Sequence, residues 1–337
     1  DGSDKRPVKT IAKAVALSRA VMKDEPTTII VRDGFYFIDK PIELTGTDPD
    51  VTIKAQNKGK AILSGALKGT KWKTDPEDSR MLIADFPFAA KQNFLYSLTV
   101  NDKLADFSAY PQFGGTKKLR YNATEDDTRK GNHRVFEYDP LDLPKGFTFE
   151  NLDITSAFLF IPQEWASTRT YVLTNDWKNN TFILKSRTDM PIGRFNTGYQ
   201  ILNTRLGLKE PGTWMFEASS KRIIYWPREG ETADNIKAYI SSTQRIIYLN
   251  RSHNTTISGF VMEGCSSPFH APIWGKLGLA AIISGHYPKN ALVENCEIRN
   301  TAGSGIQFVK AEDSTVRDCY VHHVGSAGID FIDGGNR

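Results

Sequence analysis

The chain has only three cysteines in 337 residues. That excludes a disulfide scaffold, and the odd count leaves at least one thiol unpaired within the chain. No stretch approaches 18 consecutive apolar residues, so no membrane span is expected. No long basic run with interleaved aromatics is present either. Lys plus Arg number 43 against 39 for Asp plus Glu, a net charge of only +4, and no nucleic-acid partner is expected. A Gly-rich phosphate loop, a nucleophile elbow and a Cys-x-x-Cys pair are all missing. The opening Asp1-Gly2-Ser3 has neither a basic start nor an apolar signal core. It reads as a mature chain whose targeting segment was removed or never existed.

What is present is a repeat. The 26 glycines, 16 prolines and 11% aromatic residues already fit a turn-rich β protein. Three segments align without gaps: Ile257-Ser-Gly-Phe-Val-Met-Glu-Gly264, Val293-Glu-Asn-Cys-Glu-Ile-Arg-Asn300 and Val316-Arg-Asp-Cys-Tyr-Val-His-His323. The last two start 23 residues apart, and the first two 36 apart, which is the same unit plus 13 inserted residues. Ile247, Ile283, Ile306 and Ile329 follow the same offsets. Each unit reads as short alternating strands broken by polar turns. A unit this short closes no core alone, whereas stacked as coils it buries its Ile, Val, Phe and Cys side chains in one column.

The N-terminal part agrees. Lys9 to Lys23 places Ile11, Ala12, Val15, Ala16 and Ala20 at helical spacing, with Pro26 as the stop. A solenoid needs a cover over its first coil, since an open sheet edge invites aggregation, and this helix is the candidate. Between Leu67 and Ala238 the coil rhythm is lost. The expected fold is all-β: a right-handed parallel β-helix with an N-terminal capping helix and an inserted β-sandwich-like domain. Its parts are the cap and first coils at 1–66, the insert at 67–238 and further coils at 239–337. Ile329-Asp-Phe331 reads as the first strand of a coil whose remaining strands lie beyond Arg337, so a longer native chain is expected.

Family motifs enter on particular residues. The opening Asp-Gly-Ser with Lys9-Thr-Ile and Ile30-Val-Arg-Asp-Gly-Phe-Tyr36 resembles the start of pectate-lyase-superfamily β-helix proteins. Leu95 to Lys103 with Ala109-Tyr-Pro111, Pro211-Gly-Thr-Trp214, Ile223-Ile-Tyr-Trp-Pro227 and Gly334-Gly-Asn-Arg337 are similar to further stretches of that group. A β-helix interrupted by a β-sandwich looks most like glycoside hydrolase families 120 and 141. The resemblance implies β-xylosidase activity for the first, and fucosidase or xylanase activity for the second. Three departures stand out: Val100-Asn-Asp-Lys103 where the group has Val-Asn-Gly-Lys, Ser108-Ala-Tyr-Pro111 for Ala-Arg-Tyr-Pro, and Gly334-Gly-Asn-Arg337 for Gly-Gly-Asp-Arg.

The candidate chemistry follows from parity. If Ile306 and Phe308 point inward, Gln307 points out, and so do Ser284 one coil below and Asp330 one coil above. Polysaccharide-active β-helices carry their cleft along such a face. Asp330 and Asp333 are therefore the candidate catalytic carboxylates, acting as acid and base or acid and nucleophile on a glycosidic bond. Ser284, Gln307, His270, Trp274, His286 and His323 are the candidate substrate contacts, with Trp274 offering a ring to a sugar face and His270 a titratable group. The His322–His323 pair hints at metal, but no ligand spacing supports it. Calcium, used by many β-helix lyases, finds no matching Asp cluster, so no cofactor is expected. Cys296 and Cys319 occupy equivalent inward positions, suited to stacked free thiols more than to a disulfide. The function expected is a secreted or periplasmic glycoside hydrolase acting on a plant or algal polysaccharide or oligosaccharide. A polysaccharide lyase acting on a uronic-acid glycan and a non-catalytic carbohydrate-binding β-helix are the alternatives.

Overall fold

A computed structural model describes residues 1–21, 25–68, 71–86, 94–112, 121–122, 133–145, 147, 150, 152–163, 167–188, 190–192, 198–268 and 280–333. Three parallel five-stranded sheets run along a solenoid. The first contains Thr27–Val31, Val51–Ala55, Thr255–Ser258, Leu292–Glu294 and Thr315–Arg317. The second contains Gly34–Phe37, Ala61–Ser64, Val261–Glu263, Glu297–Thr301 and Tyr320–Val324. The third contains Ile42–Thr45, Ile247–Asn250, Ala281–His286, Ser304–Val309 and Ile329–Ile332. Each coil takes one strand from each sheet in that order. Counted from Thr27, Ile329–Ile332 closes the fifth coil.

The registers put like over like. Ile29, Ile53, Ile257, Val293 and Val316 are successive partners, as are Ile42, Ile247, Ile283, Ile306 and Ile329. Val293 and Val316 are thus one rung apart, about 4.8 Å by strand spacing. These columns, with Phe260, Met262 and Phe308, form one continuous buried cluster. On the last described rung, Ile329 and Phe331 are 46% exposed. Cys296 and Cys319 stack in the same interior as free thiols. Their shared hydrogen bond and burial push the Cys296 thiol well above the usual range.

The helix spans Ile11–Val21 and closes the bottom of that column. Ile11, Val15 and Ser18 are its buried face and Ala14 is half-buried, whereas Ala12, Ala16 and Ala20 are exposed. The sequence reading placed those three alanines on the apolar face. The larger Ile and Val side chains, at i and i+4, set the rotation instead. A bidentate Arg19–Asp48 pair fastens the helix to the first coil. The guanidinium also donates to the Glu43 carbonyl at 2.7 Å, and Asp48 accepts from the Thr45 amide at 2.6 Å. Burial opposes the Asp48 charge, but the bonds from Arg19 and Thr45 outweigh it and hold the carboxyl below its ordinary value. The stability this supplies is fully present above the unfolded-state value, near 3.9, and is lost as pH falls through the lower folded value. Asp48→Asn is expected to cost roughly 1.5–3 kcal/mol at pH 7. The gap from the parent should shrink below about pH 4, as read by denaturant midpoints across pH.

The insert leaves and rejoins the solenoid on adjacent antiparallel strands, Ala66–Lys68 and Ala238–Ser241, with Leu67 opposite Ile240. It thus interrupts the second coil between its second and third strands. An eight-stranded sheet curls around Leu98, Val100, Trp214, Ile223, Tyr225 and Ile240. A seven-stranded sheet curls around Leu159, Ile161, Phe182, Leu184, Tyr199 and Ile201. In the first, Leu98–Val100 and Lys103–Phe107 form a hairpin whose Asn101 and Asp102 both take positive φ, 48° and 62°. Such a turn favours Gly second, but Asp tolerates the left-handed region. The Val-Asn-Asp-Lys departure therefore keeps its turn. A small cluster of Leu95, Ala109, Phe158, Leu202 and Ala302 joins the insert to the turn between the second and third sheets of the solenoid. Arg169 adds a bond to the Gly325 carbonyl at 3.5 Å on the next turn, and burial lowers its pKa.

Candidate active site

The third sheet presents two rows of side chains alternating with the inward columns. One row is Glu43, Tyr248, Ser284, Gln307 and Asp330, rung over rung. The other is Thr45, Asn250, His286, Val309 and Ile332. The local reason is the period of two: Ile283 and Gly285 belong to the inward columns, so Ser284 and His286 cannot.

Ser284, Gln307 and Asp330 are brought together as successive register partners. Gln307 Nε2 donates to Asp330 Oδ2 at 3.2 Å. The row is less open than parity alone suggests. Ser284 is fully buried and Gln307 is 9% exposed, while Asp330 is half-exposed. Ser284 Oγ and Gln307 Oε1 are buried with no hydrogen-bond partner among the described residues. Unpaired buried polar atoms are costly, about 1–3 kcal/mol each, and ask for an occupant that can bond to them. Lower in the face, Glu43 accepts from Asn250 Nδ2 at 3.0 Å, and Arg245 lies 4.7 Å over the Tyr248 ring.

The other candidates fall elsewhere. His286 stands in the second row, half-buried, its ring 4.5 Å from that of Tyr287. Asp333 is exposed at φ 49°, on the turn that leaves the third sheet. It lies one residue past the strand Ile329–Ile332 and is not a register partner of Gln307. Asp333 therefore stands apart from the row that carries Asp330. His323 is exposed at φ 50° within the second-sheet strand Tyr320–Val324, with Nδ1 2.6 Å from His322 Nδ1. It belongs to a different cluster. His270 and Trp274 lie outside the described residues, as does Gly334 to Arg337.

That other cluster was not singled out from sequence. Glu263, Arg299 and His322 are successive partners on the second sheet. Arg299 bonds Glu263 at 2.9 Å and Glu297 at 2.8 Å, and His322 Nε2 lies 3.3 Å from Glu297. Burial lowers the Arg299 pKa, but the two glutamates more than offset this and raise it. The offsets of 36 and 23 that reveal the coils connect these three residues too. With its charges paired internally, the cluster works as a bracket between coils. Among the described residues, no three His, Cys, Asp or Glu side chains converge to hold a metal ion.

With this geometry in hand, comparison with known proteins locates the fold. The right-handed β-helix region family matches residues 224–337. Among curated proteins, no sequence matches. A solved structure described as a glycoside hydrolase is 16% identical with a TM-score of 0.76, over 96% of this chain and 64% of that one. XylC in complex with xylose is 13% identical with a TM-score of 0.44, over 100% of this chain and 56% of that one. The tailspike protein gp49 from Pseudomonas phage LKA1 is 10% identical with a TM-score of 0.21, over 94% and 41%. The chain thus spans less than two thirds of the length of these solved structures. The stacked registers, the family match and the first of these structures agree on one architecture: the chain is a right-handed β-helix protein.

Proposed function

We propose that the Ser284–Gln307–Asp330 row is part of a glycoside hydrolase active site, and that the protein acts outside the cytoplasm on a polysaccharide or oligosaccharide. The observation that carries this reading is a pair of buried polar atoms with no hydrogen-bond partner among the described residues, on adjacent rungs beside a half-exposed carboxylate. Neighbouring hydroxyls of a sugar ring supply the donors and acceptors that Ser284 Oγ and Gln307 Oε1 lack. Asp330, held through Oδ2 by Gln307, keeps Oδ1 for proton transfer to or from the glycosidic oxygen. The similarity to a glycoside hydrolase fold supports the same direction.

A lyase would act differently. It abstracts a proton next to a uronate carboxylate and needs that carboxylate neutralised. Among the described residues, the two outward rows of the third sheet hold no Lys or Arg. The face therefore suits hydrolysis at a neutral ring. The full-length protein incubated with neutral xylan-type and galactan-type oligosaccharides is expected to release new reducing ends without unsaturated products. Products absorbing in the near ultraviolet at the newly formed double bond, or binding without turnover, would overturn the hydrolase reading.

A further inference from the structure

Beside the proposed active face, on the turns leaving the third sheet, runs a column of Gly46, Arg251, Tyr287, Lys310 and Asp333. The last four take φ between 49° and 55°. Glycine in the first place is required by contact: a Cβ on Gly46 would lie 2.8 Å from the Arg251 carbonyl oxygen. The guanidinium of Arg251 stacks over the Tyr287 ring at 5.0 Å, and the ammonium of Lys310 covers it at 5.4 Å. Against the same ring, at 4.5 Å, lies His286 of the second outward row. Neither Arg251 nor Lys310 forms an ion pair among the described residues. The neighbouring Lys289 is different, meeting Glu312 at 3.5 Å. Glu43 accepts from Asn250 and Asp50 accepts from Asn254, while Asp333, one rung above Lys310, forms no ion pair with it among the described residues. Two cations are thus held against one aromatic ring on the turns beside the third sheet, with no ion pair among the described residues. Stacking on a ring orients a cation without neutralising it, so both remain able to bind an anion.

We propose that Arg251, Tyr287 and Lys310 form a subsite for an anionic substituent, a carboxylate or a sulfate ester, on the glycan whose neutral ring occupies the Ser284–Gln307–Asp330 row. The division of labour follows from the charges. The two outward rows of the third sheet carry carboxylates and no Lys or Arg, while the rim carries two cations with no ion pair among the described residues. A glycan with an acidic decoration one unit from the reacting sugar satisfies both at once. The inference rests on the hydrolase reading for the adjoining row, but its test does not need turnover.

Binding would be measured by calorimetry on the full-length protein and on its Arg251→Gln/Lys310→Gln double variant. The probes are a galacturonate trisaccharide, a sulfated galactose trisaccharide and neutral xylotriose. At least one acidic probe is expected to bind roughly tenfold more tightly than the neutral one. That advantage should vanish in the double variant and fade between low and high salt. Both positions are exposed turn residues, and an unchanged circular dichroism melt would confirm that the variant folds. Equal binding of acidic and neutral probes, no binding of either acidic probe, or an acidic preference surviving in the double variant would each overturn the subsite. An Asp330→Asn protein tested in parallel separates the two ideas. It should lose turnover and keep the acidic preference. Turnover absent in the parent would count against the hydrolase reading alone.

Discussion

Asp330→Asn is expected to lower turnover of a cleaved oligosaccharide by roughly 10²–10⁴-fold, the usual contribution of a positioned general acid or base. KM should move far less, because the amide keeps the shape of the carboxylate. The side chain is half-exposed and its one hydrogen-bond partner among the described residues is Gln307, so thermal stability should stay nearly unchanged. That combination separates a reacting carboxylate from a structural one. Initial rates on the full-length protein, with a melting curve beside them, decide the matter. An active variant removes Asp330 from the mechanism, and the hydrolase reading then loses its catalytic group. A companion Ser284→Ala change removes a buried hydroxyl that lacks a hydrogen-bond partner among the described residues. It should leave stability intact or slightly raised while weakening substrate binding by roughly tenfold.

Phe308→Ala should be the most damaging of the simple core truncations, costing about 3–5 kcal/mol. Phe308 is fully buried in the solenoid, meets Phe331 edge-on at 5.4 Å and lies over Gly285. The glycine below it is part of the same fit. A Cβ on Gly285 would come within 2.7 Å of the Phe308 ring and 2.9 Å of Pro288 Cγ. Gly285→Ala alone should therefore destabilise by overpacking, about 1–3 kcal/mol. In the double variant the added methyl moves into space the ring has left. The two losses should then sum to more than the measured one, a coupling of about 0.5 kcal/mol or more. Urea midpoints of the four proteins in the cycle measure it. Strict additivity would mean that the ring and the glycine do not share space.

The solenoid was legible because its physics is periodic. A column such as Ile247, Ile283, Ile306 and Ile329 must repeat at coil length, so the offsets alone revealed which side chains stack. The same arithmetic placed Ser284, Gln307 and Asp330 on one row. What it left out was burial: parity says which way a side chain leaves the strand, not what lies over it. It also passed over the Arg251–Tyr287–Lys310 column, although those residues keep the 36 and 23 offsets. They sit at turns, where attention to apolar alternation finds nothing. The insert was legible only as a loss of rhythm. Its pairings join segments with no common period, such as Phe107 with Trp214 or Ala109 with Leu202. The rotation of the capping helix was missed for a related reason: alanines satisfy helical spacing without having enough bulk to choose a side.

The path of the chain through the second coil also bears on how the molecule is made. Ala61–Ser64 and Ile247–Asn250 are consecutive strands of one turn of the spiral, yet the whole insert lies between them. Ile53 must find Ile257 across 204 residues before the lower coils can seat the upper ones. The entropy of closing so long a loop is reduced once the intervening segment has folded and brought Leu67 beside Ile240. The coils on either side can be joined early only if the insert acts as a clasp. Zippering then runs outward from that junction rather than upward from the N-terminus. Refolding should accordingly slow when the clasp is weakened, even though no residue of the spiral has been touched.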